Sequence, residues 1–336
     1  MSLNTLEEIA SYIVSDGKGI LAADESNPTC TKRFDTIGVE STEESRRDYR
    51  EMLFRSSGIQ GNIGGVILFD ETIRQNAKDG TSLVDLMNSQ GALPGIKVDK
   101  GLQPIGDSDE TVTVGLDGLD ERLKEYSLLG AKFTKWRAVI KIGNNLPTDN
   151  CIDANMKALA DYAKVVQDNG MVPMVEPEVL MEGDHSIEEC FAASERSLKS
   201  LFHHLKENGV NIKGTILKPN MVTSGSTCSN QASIDEVAQQ TLECLKANVP
   251  SELPAITFLS GGQSELLATA HLDAMNKIGG FDWKLSFSYG RALQAPTLKA
   301  WMGKPENIFI AQDALSHRAK MNQLAALGQW DKGLED

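Results

Sequence analysis

The feature that most constrains the fold of this chain is an alternation of short apolar runs with charged stretches of helical periodicity. The runs are rich in Val, Ile, Leu and Phe, which is typical of strands buried on both faces of a sheet. They are Ile20–Asp24, Ile63–Phe69, Gly95–Val98, Phe133–Ile142, Met171–Val179, Ile212–Leu217, Ala255–Leu259 and Leu285–Tyr289. Strict alternation of strands and helices predicts a parallel sheet, and eight such units predict a closed (β/α)8 (TIM) barrel. An open, doubly wound α/β sheet is the alternative.

Helical stretches separate the runs and continue beyond them at both ends. The intervening ones are Thr42–Arg55, Leu83–Ser89, Asp117–Leu129, Asp149–Asp168, Ser186–Glu207, Ser233–Ala247 and Ser264–Lys277. Leu3–Val14 predicts an extra N-terminal helix, with Ser2 or Asn4 as its N-cap. Thr297–Leu327, interrupted by a glycine and a proline, predicts extra C-terminal helices. No linker or internal repeat divides the sequence, so we expect a single domain over residues 1–336.

The charge and cysteine content narrow the partners and the compartment. The formal net charge is −14, whereas nucleic acids and anionic membrane surfaces both require a basic face. No apolar run approaches the roughly 18 residues that a membrane span needs. We therefore expect neither nucleic acid nor membrane as a partner. Five cysteines without a CxxC pair, and the lack of a signal peptide, favour reduced thiols and a cytoplasmic location.

One lysine stands at an unusual position. Lys218 ends the sixth apolar run, and Pro219 follows it at once and should stop the strand. A lysine is rarely found at the end of a core strand unless it has a partner or a function. Two interpretations are open: an ion pair with a buried carboxylate, or a nucleophilic amine that forms a Schiff base with a carbonyl substrate.

Other polar residues share this placement in or just after the runs, where (β/α)8 barrels collect their chemistry. They are Asp24, Lys97, Lys135, Arg137, Glu176, Glu178, Ser260 and Arg291. Each alone could be a paired core charge, but the common placement on so many strands favours a site. Lys135 and Arg137 are two residues apart, as are Glu176 and Glu178, so each pair shares one face of its strand.

These side chains suggest a chemistry for the lysine. Desolvation and a nearby cation such as Lys135 both favour a neutral, nucleophilic amine at Lys218. Dehydration of a carbinolamine to an imine needs a proton donor and acceptor, and Glu176 could serve as both.

Two glycine segments indicate a phosphate site. Ser260-Gly261-Gly262 follows the seventh run and Tyr289-Gly290-Arg291 the eighth, which is where such barrels commonly bind phosphate. Glycines allow backbone N–H groups to approach phosphate oxygens, and an arginine adds a bidentate donor. Ser26, Lys97 and Arg137 remain for a second anionic group.

The five histidines favour no metal site. They are His185, His203, His204, His271 and His317, and their spacings match no common metal-binding pattern. We expect neither a metal nor another cofactor.

Together these motifs resemble those of class I fructose-bisphosphate aldolases. The resemblance runs from about residue 5 to residue 328 and rests on Gly19–Ser26, Ile63–Phe69, Gly95–Gly101, Lys135-Trp-Arg137, Val175–Glu178, Leu217–Asn220, Phe258–Gln263 and Phe287–Ala292. It implies a (β/α)8 barrel that reversibly cleaves fructose 1,6-bisphosphate to dihydroxyacetone phosphate and glyceraldehyde 3-phosphate. It also implies a homotetramer.

The resemblance implies a role for each candidate. Lys218 would form the Schiff base, Glu176 would be the main acid and base, and Glu178 and Lys135 would support them. Asp24 would orient or deprotonate the hydroxyl next to the bond that breaks. The phosphate nearest the ketone would be held by Ser260, Gly261, Gly290 and Arg291, and the distal phosphate by Ser26, Lys97 and Arg137. Gly262 and Ser288 would also bind the substrate.

Two features depart from the family pattern. We expect a loop after Ser26, and it reads Asn27-Pro28-Thr29-Cys30 where many members have a small, flexible stretch. The C-terminal residues of this sequence contain no tyrosine. In relatives, a tyrosine in this segment helps to protonate the enamine left after cleavage. We therefore expect slow protonation of the enamine.

Two other functions stay open. The chain could be a phosphosugar enzyme with a different preference, such as an isomerase or an aldolase for sedoheptulose or tagatose bisphosphates. It could also be a catalytically silent sugar-phosphate sensor or scaffold.

Overall fold

A computed structural model describes residues 3–335. Its strands are β1 Gly19–Ala23, β2 Ile63–Leu68, β3 Leu93–Lys97, β4 Leu102–Pro104, β5 Thr111–Thr113, β6 Phe133–Ile140, β7 Val172–Val179, β8 Ile216–Leu217, β9 Ala255–Phe258 and β10 Lys284–Tyr289. Eight of them close into a barrel in the order β1-β10-β9-β8-β7-β6-β3-β2, and all neighbours in it are parallel. The predicted (β/α)8 barrel is confirmed.

Helices surround the barrel. They are α1 Leu6–Ile13, α2 Asn27–Asp35, α3 Glu43–Phe54, α4 Asp70–Ile73, α5 Leu83–Ser89, α6 Leu119–Leu128, α7 Asp149–Asp168, α8 Ile187–Glu207, α9 Ile234–Asn248, α10 Glu265–Ile278, α11 Arg291–Trp301 and α12 Ile308–Ala326. Side-chain caps explain several of the starts: Thr42, Ser186 and Ser233 each form a capping box with the third residue of the helix that follows.

The N-terminal helix starts later than predicted. The N-cap of α1 is Thr5, whose hydroxyl accepts from Glu8 N while the Glu8 carboxylate reaches back to the N-cap backbone. The reciprocal pair satisfies two backbone donors, which Asn4 at the cap would not do. Ser2, the other predicted cap, lies outside the described residues.

The apolar side chains divide into two layers. One cluster lies between the strands and the outer helices. The other fills the barrel interior and includes Ile20, Ile67, Phe133 and Met174 together with α1, which packs against the same residues. The interior is tight, because a Cβ added at Gly95 would lie 2.2 Å from the Phe133 ring.

Three predictions about local structure were wrong. The stretch after Ser26 is helix α2, in which Pro28 occupies the first turn, where its missing N–H costs no helical hydrogen bond. The sixth run forms only a two-residue strand, because Ile212–Gly214 is a 3-10 turn. The final helical region begins at Arg291 and not at Thr297, whereas the predicted interruption is present between Trp301, where α11 ends, and Ile308, where α12 begins. The short helix α4 and the β4–β5 hairpin were not anticipated.

Candidate active site

A cavity of about 380 Å³ opens where the barrel strands end. It is lined by every candidate from the sequence except one: Asp24, Ser26, Lys97, Lys135, Arg137, Glu176, Glu178, Lys218, Ser260, Gly261, Ser288, Gly290 and Arg291. The exception is Gly262, which does not line the cavity; a Cβ there would lie 3.4 Å from Met181 Sδ. The carboxyl ends of the parallel barrel strands all lie at this end, so residues far apart in sequence become neighbours.

The centre of the cavity is a chain of alternating charges. Lys218 Nζ lies 2.9 Å from Glu176 Oε1, and Lys135 Nζ lies 3.2 Å from Glu176 Oε2. Lys135 Nζ also lies 2.7 Å from Asp24 Oδ2. Lys135, Glu176 and Lys218 are buried, at 4%, 3% and 4% exposure. One carboxylate thus contacts both lysines, and the second lysine contacts a further carboxylate.

These neighbouring charges determine the pKa values of Asp24, Glu176 and Lys135. Burial alone would raise the pKa of Asp24, but the nearby Lys135 and Lys218 outweigh it and bring that pKa to about 2. The same balance lowers the pKa of Glu176, where burial opposes the charges of Lys135, Lys218 and Arg137. Burial favours a neutral Lys135, yet Asp24 and Glu176 raise its pKa above the usual range. Both carboxylates are therefore ionised near neutral pH.

Two further cations at the cavity are already paired. Arg137 Nε donates to Glu178 Oε2, and Lys97 Nζ lies 2.6 Å from Asp99 Oδ1. Asp99 lines the cavity but was not named as a site residue, although the sequence places it two residues after Lys97. Its other oxygen, Oδ2, is buried and has no hydrogen-bond partner among residues 3–335.

The opposite side of the cavity is built from the two glycine segments. Arg291 Nη2 donates to the Gly261 carbonyl, and Gly261 adopts a φ of +54°, a left-handed conformation that favours glycine. Ser288 Oγ is buried without a hydrogen-bond partner in the described part of the chain. Among the cations that line the cavity within residues 3–335, Arg291 alone has no carboxylate partner. It is therefore the side chain most ready to bind an anion.

Sequence reasoning missed one cation at the cavity, Arg33. It comes from α2, the segment that was predicted to be a loop, and forms an ion pair with Glu25. Gln294 Nε2 also donates to Glu25 Oε1 at 2.9 Å. The helix start at Asn27-Pro28 was the signal that could have placed Arg33 on this face.

No group of three His, Cys, Asp or Glu side chains that could hold a metal occurs between residues 3 and 335. Over the same residues, no helix combines the length and the apolar character required to cross a bilayer.

Comparison with known proteins supplies the family. The model of the class I fructose-bisphosphate aldolase family matches residues 5–336. The chain is 53% identical to the probable fructose-bisphosphate aldolase class 1 of Xanthomonas axonopodis pv. citri, over 98% of this chain and 99% of that protein. It is 51% identical to the cytosolic fructose-bisphosphate aldolase 4 of Arabidopsis thaliana, over 95% of this chain and 82% of the other.

A solved structure agrees with this. Fructose-bisphosphate aldolase from Plasmodium falciparum, determined in complex with TRAP and a small-molecule inhibitor, superposes with a TM-score of 0.96 at 47% identity. The match covers 98% of this chain and 95% of the other. The chain belongs to the class I fructose-bisphosphate aldolase family and is accordingly a lyase that breaks a carbon–carbon bond.

Proposed function

We propose that the protein reversibly cleaves fructose 1,6-bisphosphate to dihydroxyacetone phosphate and glyceraldehyde 3-phosphate through a Schiff base on Lys218. The observation that carries the proposal is the buried Lys218 amine, 2.9 Å from the Glu176 carboxylate. The same cavity holds Arg291 and its glycine segments. In cells this reaction would serve glycolysis and gluconeogenesis.

Imine formation uses Lys218 and Glu176. The proton that Lys218 holds in its ion pair passes through Glu176 to the C2 carbonyl oxygen as the neutral amine adds to that carbon, and the nitrogen then gives a second proton to Glu176. The resulting carbinolamine carries no charge, so one of the three cations that lower the pKa of Glu176 is gone. That pKa then rises, and Glu176 can return the proton to the departing hydroxyl as water leaves and the iminium forms.

Cleavage uses the iminium as an electron sink. The C4 hydroxyl gives its proton to the Glu176 carboxylate, the C3–C4 bond breaks, glyceraldehyde 3-phosphate departs, and the electron pair of the bond moves into an enamine. Asp24 would orient that hydroxyl, since a carboxyl with a pKa of about 2 is a weak base. Lys135 lies between Asp24 and Glu176 and stabilises the negative charge on both. Protonation at C3 and hydrolysis then release dihydroxyacetone phosphate and restore the lysine.

The phosphates would bind at opposite ends of the cavity. The one nearest the ketone would contact Ser260, Gly261, Ser288, Gly290 and Arg291, where the unpaired arginine and the unpartnered serine hydroxyl are available. The distal phosphate would contact Ser26, Lys97 and Arg137. Lys97 and Arg137 must then share their charge between the phosphate and Asp99 or Glu178.

Borohydride reduction in the presence of dihydroxyacetone phosphate tests the proposal. One adduct per chain should form, and peptide mapping should place it on Lys218. The variant Lys218→Met should give no adduct, while Lys141→Met, which changes an exposed lysine, should react normally. An adduct on Lys97 or Lys135 would contradict the assignment. Loss of cleavage in EDTA, restored by a divalent metal, would contradict metal-independent chemistry.

Sugar length, quaternary structure and compartment are further parts of the proposal. A panel of ketose bisphosphates should give the highest kcat/KM with fructose 1,6-bisphosphate, and a higher value for sedoheptulose or tagatose bisphosphate would change the preferred substrate. Light scattering should give a homotetramer, and fractionation should recover the protein from the cytoplasm.

A further inference from the structure

A buried pair behind the glycine turn takes no part in the mechanism above. It consists of Gln263, the last residue of the Phe258–Gln263 motif, and His271 of α10. Gln263 is 9% exposed and His271 is 2% exposed, and neither lines the cavity. Gln263 Oε1 and His271 Nδ1 lie 2.6 Å apart. Because an amide oxygen can only accept, the histidine must donate from Nδ1.

The other end of the Gln263 amide fixes its orientation. Gln263 Nε2 donates to Met221 Sδ at 3.6 Å. The flipped amide would place its oxygen against the thioether sulfur, which is also an acceptor. Met221 stands three residues after Lys218 in the segment that leaves β8. The amide therefore joins α10 to the segment that carries the proposed Schiff-base lysine.

The surroundings of His271 leave it one role, that of a hydrogen-bond donor to Gln263. Its Nε2 is buried and has no hydrogen-bond partner between residues 3 and 335. Burial lowers the pKa of His271 to about 4, so the ring is neutral near physiological pH. A neutral ring with a bare Nε2 keeps a single N–H, and that N–H points at Gln263.

Gln263 also closes the turn that reaches the cavity. Its backbone N–H donates to the Ser260 carbonyl at 3.0 Å. Gly261, inside this turn, presents its carbonyl to Arg291. A separate backbone bond, from Leu259 N to Pro219 O at 3.1 Å, joins the same two segments next to Lys218. These contacts connect Gln263 both to the turn and to the segment that follows Lys218.

We propose that Gln263, oriented by His271, is a positioning residue that holds the Ser260–Gly261 turn at the distance from Lys218 that a ketose 1-phosphate requires. The inference rests on the proposed function, because it takes this turn as the site of the phosphate nearest the ketone. Gln263 acts through the turn and has no contact with the substrate. Its loss should therefore affect substrates that carry this phosphate and spare the chemistry of Lys218 itself.

The experiment compares substrates with and without the phosphate in the variant Gln263→Leu. The KM for fructose 1-phosphate and that for fructose 1,6-bisphosphate should rise together by about tenfold, a factor that the loss of about one buried hydrogen bond would give. Dihydroxyacetone has the same ketone but no phosphate. Its borohydride-dependent reduction onto Lys218 should proceed at the wild-type rate.

Two variants of the histidine sharpen the test and do not depend on Gln263→Leu folding well. His271→Leu removes the donor and should raise both KM values as Gln263→Leu does, with no further increase in the double variant. His271→Asn places an amide nitrogen near the position of Nδ1, so it should keep both KM values within about twofold of wild type. If His271→Asn and His271→Leu behave alike, the donor has no positioning role.

A matched control lies on the same helix. Thr269 is fully buried on α10 and bonds with Asn322 and Arg318 of α12, away from the turn. Thr269→Val should lower stability without changing either KM. Unchanged KM values in Gln263→Leu, or slower reduction with dihydroxyacetone as well, would overturn the inference. Failure of the wild-type protein to be trapped with dihydroxyacetone phosphate would instead refute the proposed function.

Discussion

Replacing Lys135 by methionine removes the cation that lies between the partly buried Asp24 and the buried Glu176, and keeps most of the side-chain volume. Asp24 Oδ2 then loses its partner at 2.7 Å, and Glu176 loses one of its two lysines. The pKa of Asp24 is about 2 against an ordinary 3.8, which corresponds to about 2 kcal/mol of stabilisation at neutral pH. With Glu176 also affected, the free energy of unfolding should fall by about 3–5 kcal/mol, the usual range for a broken buried pair.

The loss of unfolding free energy in Lys135→Met should depend on pH in a defined direction. The folded pKa of Asp24 lies below its unfolded value, so its stabilisation is complete above about pH 5 and disappears as the pH falls toward 2. In Lys135→Met only Lys218 and Lys97 still oppose the effect of burial, so the pKa of Asp24 rises. The difference in the free energy of unfolding between wild type and Lys135→Met should therefore be largest at neutral pH, and it should become smaller as the pH falls from 5 toward 3.

Urea unfolding of four proteins measures this effect: wild type, Lys135→Met, Asp24→Asn and the double variant. Asp24→Asn should destabilise the wild-type protein, because Lys135 loses a carboxylate. In the Lys135→Met background it should restore about 1–2 kcal/mol, because it removes an uncompensated buried charge. Lys141→Met breaks an exposed pair with Asp109 and should cost less than about 1 kcal/mol. If Asp24→Asn costs the same in both backgrounds, the two side chains are not coupled and the reasoning fails.

The other predictions concern turnover. Lys135→Met should slow imine formation with dihydroxyacetone phosphate far more than it weakens binding. Equal changes in the rate of imine formation, measured by stopped-flow, and in the dissociation constant, measured by equilibrium titration, would contradict this. Arg291→Ala should raise the KM for fructose 1-phosphate and for the bisphosphate alike, by about tenfold to a hundredfold, whereas Arg137→Ala should impair the bisphosphate selectively. Identical discrimination by the two variants would disprove the assignment of phosphates. Tyr289 is fully buried and donates to the Ala268 carbonyl, so it is a poor proton donor to the enamine. Tritium exchange from labelled dihydroxyacetone phosphate should then be no faster than cleavage, and much faster exchange would show that another group donates the proton.

The sequence was sufficient to predict the barrel and most of the cavity because both depend on periodicity. Parallel strands buried on two faces must be apolar, so a polar residue at a strand end is conspicuous. The register of β6 and β7 places Arg137 opposite Glu176, and the pairing of β3 with β6 places Lys97 opposite Lys135. Residues that were grouped only by their position at strand ends thus lie side by side on neighbouring strands.

What the sequence could not supply were partners that are distant along the chain or lie outside a periodic element. Arg33 was missed because α2 carries more polar than apolar residues and lacks a clear apolar face. The pairing of Lys97 with Asp99 was not predicted, because Asp99 lies beyond the end of β3, where no strand periodicity fixes the direction of its side chain. The contact between Gln263 and His271 depends on the exact placement of α10 against its loop, which no local pattern encodes.

The position of Lys218 illustrates how a very short strand can still be rigid. β8 contains only Ile216 and Leu217, yet the sheet continues beyond them, since Lys218 N donates to Val175 O at 2.8 Å. On the other side, Leu259 N donates to Pro219 O, so the proline accepts where it cannot donate. The backbone of Lys218 is therefore held by the strands on both sides of β8, and only its side-chain torsions remain free. The ion pair with Glu176 restrains those torsions, which places the amine before any substrate arrives.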